Sequence, residues 1–133
     1  MQKKYFLLEQ AQAILPEVKK LLTRLLETHK RMKLRTVFEI RYEDEFLDAY
    51  NLTKKSMEEH KDAYEFFQTM QALMELGVFV KDPRIGLADF YSIFEDREIF
   101  LYPGFPEERI LFWHGINEGY AERKSVDLLK EKI

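Results

Sequence analysis

The distribution of glycine constrains the fold of this chain more than any other feature. All five glycines lie at or after position 77, and three of the four prolines, Pro83, Pro103 and Pro106, lie there too. The first 76 residues therefore contain no glycine and a single proline, Pro16. Because glycine and proline are the residues that most destabilise a helix interior, this distribution predicts long helices before position 77.

Apolar residues in this first part recur at helical spacing. Spacings of three and four predict a first core-facing stripe of Ala11, Leu15, Val18, Leu22, Leu25, His29 and Met32. The same spacings predict a second stripe of Phe46, Tyr50, Thr53, Met57, His60, Tyr64, Phe67, Gln71 and Met74, which Phe66, Met70 and Leu73 widen. Gly77 follows as a C-terminal helix cap. We predict an antiparallel helical hairpin in which both stripes, including the two histidines, face the core.

The two predicted helices carry opposite charge. Residues 1–35 contain nine Lys and Arg against three Asp and Glu, whereas residues 36–75 contain four against ten. This asymmetry predicts that the basic helix packs against the acidic one. It argues against nucleic acid as a partner, because the acidic segment would cancel the field of the basic one and the whole chain carries a net charge of −3.

After position 77 the pattern changes to short runs of aromatic and branched residues. Such runs at 90–94, 98–102 and 109–114 predict three antiparallel strands, with a tight turn at Asp96-Arg97. Residues 125–133 fit a short C-terminal helix. We therefore predict one α+β domain over 1–133. It comprises a long two-helix hairpin (1–76), then a small three-stranded antiparallel sheet and the C-terminal helix (77–133).

Composition restricts the chemistry and the location of the protein. The chain contains no cysteine, which excludes disulfides, thiolate metal sites and a cysteine nucleophile. The sequence has no run of about 20 apolar residues, the length that spans a bilayer. A cytoplasmic protein without a membrane partner is the prediction.

Three sequence blocks resemble the domain of unknown function family 2203. They are FLLEQAQAILPEV at positions 6–18, GVFVKDPRIGLADF at 77–90 and WHGINEGYAER at 113–123. The resemblance spans both ends of the chain. It implies helices combined with a small sheet, and it implies no activity.

His114, Asp89 and Glu118 are the candidate catalytic or metal-binding residues. His114 ends a predicted strand and precedes a glycine, whereas His29 and His60 fall on the helical stripes. A histidine with two carboxylates can serve as a general base with an orienting partner, or as ligands for a divalent metal. No phosphate loop, dinucleotide fingerprint or HExxH motif accompanies them, and the expectation is a protein without a cofactor.

Arg123, Arg84 and Trp113 are the candidate anion- or ligand-binding residues. Arginine binds carboxylates and phosphates in a bidentate manner, and an indole ring can stack on a ligand. A purely structural alternative is that Trp113 packs in the core and Arg123 pairs with Asp89 or Glu118 to hold the last turn.

The leading functional prediction is an interaction or scaffold module, rather than an enzyme, that self-associates through its helical half. It rests on the charged hairpin, an aromatic content of 14% and the lack of catalytic motifs. A homodimer or a complex with another protein would use the apolar surface. The alternative is a metal- or anion-dependent enzyme, or a small-ligand-binding protein, with its site around His114, Glu118, Asp89 and Arg123.

Overall fold

Two long helices form the first half of the protein. The computed structural model describes residues 3–37, 45–102, 110 and 112–130. Helix α1 spans Leu8–Val37, continuing through Pro16, and helix α2 spans Glu45–Glu75. Gly77 ends α2 with φ of +90°, and its N–H donates to the Met74 carbonyl at 2.9 Å. The predicted helical hairpin is confirmed, and residues 38–44, between the two helices, lie outside the described residues.

Helix α1 buries the stripe that its spacing predicts. Five residues of this stripe are almost inaccessible to solvent: Ala11, Leu15, Val18, Leu22 and Leu25. They share one core cluster with Leu73 of α2 and with the sheet residues Val78, Phe90, Leu101 and Trp113. Helix α1 is therefore the central element of the domain, because both α2 and the sheet pack against it.

Helix α2 packs with only part of its predicted face, namely Phe66, Met70 and Leu73, whereas the regular stripe from Tyr50 to Met74 is exposed. Its buried residues are Asp62, Thr69 and Leu73, with Phe66 and Met70 half-buried beside them. The prediction that His60 lies in the core is wrong, because His60 is exposed. His29 is half-buried, with its ring centroid 6.4 Å from that of Phe66.

Ion pairs accompany the apolar contacts between α2 and α1. Arg31 of α1 reaches Asp62 at 3.4 Å and Glu65 at 3.0 Å. Thr28 is buried beside Arg31, whose Nη2 donates to its hydroxyl at 3.4 Å. A basic residue of α1 thus meets acidic residues of α2, on the same side of α2 that places Leu73 in the core.

The second half forms a five-stranded antiparallel sheet in the order of the chain. The strands are β1 (Val78–Asp82), β2 (Leu87–Phe94), β3 (Arg97–Tyr102), β4 (Phe112–Gly115) and β5 (Lys124–Ser125). The prediction of three strands is therefore wrong, because β1 and β5 are additional. β1 is a five-residue run, and β5 has only two residues, which form a strand through their pairing with Phe112 and Trp113.

Two details near the turns also differ from the prediction. The β2–β3 turn consists of Glu95 and Asp96, both with positive φ, and Arg97 already pairs with Phe94. Within the described residues, the C-terminal helix predicted over 125–133 is not formed: Ser125 belongs to β5, and a single helical turn follows at Asp127–Lys130. The chain reaches β5 through a 3-10 turn at Tyr120–Glu122.

The two faces of the sheet have different roles. Side chains alternate along a strand, so Phe90 and Trp113, which join the core cluster, face α1. Their neighbours Asp89 and His114 therefore face away from α1, on what we call the outer face. This alternation decides which of the predicted site residues can meet.

Candidate functional site

The structure brings two predicted site residues into contact on the outer face. Asp89 lies on β2 and His114 on β4, and the two side chains meet above β3, with His114 Nε2 3.3 Å from Asp89 Oδ1. Only 1% of the Asp89 side chain and 2% of the His114 side chain is exposed. The sequence separation of 25 residues gives no sign of this contact, which depends on the register of three strands.

Hydrogen bonding defines where the protons of this pair lie. His114 Nδ1 is 3.0 Å from the Gly115 carbonyl oxygen, which can only accept, so Nδ1 carries a proton. One further proton can then lie between Nε2 and Asp89, either on the imidazole or on the carboxyl group. Both ring nitrogens are thus engaged by protein oxygens, and neither is directed towards a substrate in this conformation.

Burial dominates the electrostatics of Asp89. It raises the pKa of this carboxyl group above its ordinary value, while His114 and Lys81 oppose the increase by stabilising the carboxylate. Lys81 Nζ lies 3.9 Å from Asp89 Oδ2, too long for a hydrogen bond. Within the described part of the chain, Oδ2 accepts no hydrogen bond.

An aromatic cluster shields the pair from water. The ring of Phe100, on β3 between the two residues, lies 5.3 Å from the His114 ring and 4.8 Å from that of Tyr91. Phe79 stacks on Phe100 at 5.7 Å, and Lys81 Nζ lies 5.5 Å from the Phe100 centroid. Sequence reasoning missed Phe100 and Lys81, because their position beside Asp89 follows from the sheet register and from β1, which was not predicted.

Glu118 has a different partner from the one expected. It accepts a hydrogen bond from Gly115 N at 2.8 Å and binds Lys124 Nζ at 2.9 Å. The Lys124 hydrogen bond, followed by that from Gly115, lowers the pKa of Glu118. These contacts connect the end of β4 to β5, so Glu118 stabilises the turn between the two strands. The sequence did not identify Lys124 as the partner of Glu118.

The three predicted ligand-binding residues lie on separate parts of the molecule. Trp113 is buried on the core side, where its Nε1 donates to the Ser125 carbonyl at 3.1 Å. The Arg123 guanidinium lies 5.1 Å from the Phe112 ring centroid. Arg84 is exposed in the β1–β2 turn, where it binds Asp82 at 3.0 Å and lowers the pKa of that carboxyl group.

Metal ligands do not cluster around the pair either. In the ranges that the structure describes, no group of three His, Asp or Glu side chains converges closely enough to hold a metal ion. His114 and Asp89 supply two potential ligands, and Glu118 is bound by Lys124. The chemistry that this arrangement supports is the sharing of a proton between His114 Nε2 and the Asp89 carboxyl group, both buried from water.

A line of exposed apolar side chains runs along α2 within the described residues. Large side chains project along the helix on the side away from α1: Tyr50, Met57, Tyr64, Phe67 and Met74. The polar residues Thr53, His60 and Gln71, also exposed, complete the same line. We call these eight residues the α2 seam. The sequence contained this signal, as the regular stripe that was assigned to the core.

A shallow cleft of about 280 Å³ continues the seam at its C-terminal end. Its walls include Met74 of the seam, together with Met70, Val80, Tyr91, Lys3 and Lys4. None of the predicted site residues lines it. The apolar surface of α2 therefore extends onto the edge of the sheet at β1.

Comparison with known proteins identifies a family. The model of a family described as an uncharacterized conserved protein (DUF2203) matches residues 4–126. No curated protein and no solved structure matches the chain. Among the described helices, none is both long enough and apolar enough to cross a membrane.

Proposed function

The chain belongs to the DUF2203 family, and we propose that this member is a protein-interaction module that self-associates through the α2 seam. The observation that carries the proposal is the exposure of a regular apolar line on the side of α2 that α1 does not cover. Four of its large side chains, Tyr50, Met57, Tyr64 and Phe67, are between 62% and 68% exposed.

The spacing of the seam is that of a helix–helix interface. Tyr50, Met57 and Tyr64 are seven residues apart, and the intervening positions Thr53, His60 and Phe67 follow at three residues from each. This alternation of three and four is the heptad pattern by which one helix packs against another. Helix α1 does not use it, since it contacts α2 around Asp62 and Thr69 on the opposite side.

The size of the seam is sufficient for a dimer. Taking about 200 Å² for a fully exposed side chain of this size, the five large residues present roughly 600 Å² of surface per copy. A stable interface buries about 800 Å² per partner, and the polar seam residues with the adjoining cleft supply the remainder. Apolar patches of this extent on a monomer usually mark an interaction site.

Sedimentation velocity over a concentration series tests the proposal. We expect the wild-type protein to be dimeric and the double variant Met57→Ala, Phe67→Ala to be monomeric with unchanged circular dichroism, because both side chains are exposed in the monomer. Leu52→Ala is the matched control. Leu52 is on the same helix and equally exposed, at 67%, but lies off the seam.

Two results would contradict the proposal. A wild-type protein that remains monomeric throughout the series has no self-association to explain. A dimer that Leu52→Ala weakens as much as the seam variant does would assign the interface to another face of α2. As part of the same proposal, we assign the module to the cytoplasm.

The alternative function, an enzyme or ligand-binding protein using His114, Asp89, Glu118 and Arg123, has weaker support. It would require His114 to release a nitrogen from Asp89 or Gly115. Thermal melting with added Zn²⁺, Mn²⁺ or phosphate tests it, because a ligand bound only by the folded state raises the melting temperature. A shift that His114→Ala abolishes would favour this alternative.

A further inference from the structure

We infer that the partner of the α2 seam is the α2 seam of a second copy, packed antiparallel in one defined register. The inference rests on the proposed self-association and adds to it the direction and the residue pairs. In this register Met57 faces the partner's Phe67, and Tyr50 faces the partner's Met74. By symmetry each of these contacts occurs twice.

The heptad positions lead to these pairs. Tyr50, Met57, Tyr64 and Gln71 occupy one position of the repeat, and Thr53, His60, Phe67 and Met74 occupy the other. In an antiparallel helix pair, residues of the first position pack in layers against residues of the second. The seam of α2 therefore has to be aligned against its own reversed copy.

One alignment matches the chemistry of every layer. Its first two pairs join a thioether to an aromatic ring, a favourable contact in both cases. Tyr64 then faces the partner's His60, and Gln71 faces the partner's Thr53, so polar side chains meet hydrogen-bonding partners rather than apolar ones. No layer leaves a polar group against an apolar one, which would cost stability on burial.

Alignments shifted by one heptad are worse. A shift in one direction sets Met57 against the partner's His60 and buries an imidazole against a thioether. A shift in the other direction moves Tyr50 and Thr53 past Glu75, the last residue of the partner's α2. Both shifts lose complementary layers that the central alignment keeps.

The residues beside the seam also suit an antiparallel pair. One flank carries the small residues Ala49, Ser56 and Ala63 at intervals of seven, and in an antiparallel pair this flank faces its own copy. Small side chains there let the two helices approach closely. Because β1 begins directly after α2, an antiparallel arrangement also places the two sheets at opposite ends of the helix pair.

Single cysteines provide the test, since the natural chain has none. Tyr50→Cys and Met74→Cys are prepared separately and treated with a short bismaleimide, alone and as an equimolar mixture. We expect cross-linked dimer in the mixture, several-fold above that of either variant alone. Leu52→Cys mixed with Met74→Cys is the control, because Leu52 is equally exposed but off the seam, and it should not cross-link above background.

Each other outcome is informative. Self-cross-linking of Tyr50→Cys would show a parallel pair and would overturn this inference while leaving self-association intact. The register would also be overturned if the Leu52→Cys control cross-links as strongly as the mixture of Tyr50→Cys and Met74→Cys. The same holds if that mixture does not cross-link although sedimentation shows a dimer. A monomer in sedimentation would remove the proposed function itself. Circular dichroism of each variant verifies that the fold is retained.

Discussion

Replacing His114 by leucine tests the buried pair on the outer face. Among the described residues, His114 alone hydrogen-bonds the Asp89 carboxyl group, which is 1% exposed, and the substitution removes this bond. Breaking a buried pair by removing one partner costs about 3–5 kcal/mol. Lys81, 3.9 Å away and 37% exposed, offsets part of this loss. We therefore expect His114→Leu to lower the free energy of unfolding by about 3 kcal/mol at pH 7.

The same variant should be much less destabilised in acid. Burial raises the folded-state pKa of Asp89 above its ordinary value of 3.8. Such a group contributes stability that is complete below the unfolded-state pKa and is lost as the pH rises through the folded-state pKa. His114 lowers this pKa, so the folded-state pKa of Asp89 is higher still in the variant. The stability lost between acidic and neutral pH is therefore larger in the variant than in the wild type. The cost of His114→Leu should therefore grow between about pH 3.5 and 7.

Urea denaturation followed by circular dichroism measures both effects. All variants are compared at one protein concentration, because self-association would shift the apparent stability. The control is the double variant Asp89→Leu, His114→Leu, which removes both polar partners and should cost much less than the single change. Two results would refute the conclusion that Asp89 and His114 share a proton away from water. One is a loss of unfolding free energy below about 1 kcal/mol for His114→Leu at pH 7. The other is an equal loss at about pH 3.5 and at pH 7.

Three further predictions concern the fold. Leu15→Ala removes a side chain with 0% exposure from the centre of the core, and we expect a loss of about 2–5 kcal/mol in urea denaturation. Gly77→Ala should lower the melting temperature, since φ is +90° there and an added Cβ would lie 2.9 Å from Lys4 Cβ; an unchanged melting temperature would contradict this geometry. Glu118 has a pKa lowered by Lys124, so its stabilising effect is present at neutral pH and lost as the pH falls through the lowered pKa. Glu118→Gln should therefore reduce the melting temperature at pH 7 and not at pH 2, with a smaller difference in high salt.

Much of the fold was predictable from local patterns. The absence of glycine before position 77 indicated the two helices, and the stripe of α1 named five of its buried residues, while His29 and Met32 of that stripe are half-buried. Runs of aromatic and branched residues located β2, β3 and β4, whereas β5 could not be predicted because two residues carry no pattern. Lys124 and Ser125 become a strand only by pairing with Trp113 and Phe112.

The candidate site was predictable in its members and not in its geometry. His114 and Asp89 were named together from their residue types, and they do meet. Phe100 and Lys81, which enclose them, could not be identified without the register of β1 to β4. Glu118 was named as a partner of His114, but the turn after β4 directs it to Lys124 and Gly115.

The sequence by itself determined where helices and strands form, which face of α1 is buried and that α2 has a regular apolar stripe. Only the tertiary structure decided that this stripe faces outward. Periodicity is a property of one helix: it reveals that an apolar face exists, and it does not state what covers that face. The orientation of α2 depends on contacts between residues far apart in sequence, which are the ion pairs of Arg31 with Asp62 and Glu65 and the packing of Leu73 in the core. These contacts place one side of α2 against α1 and leave the regular stripe exposed.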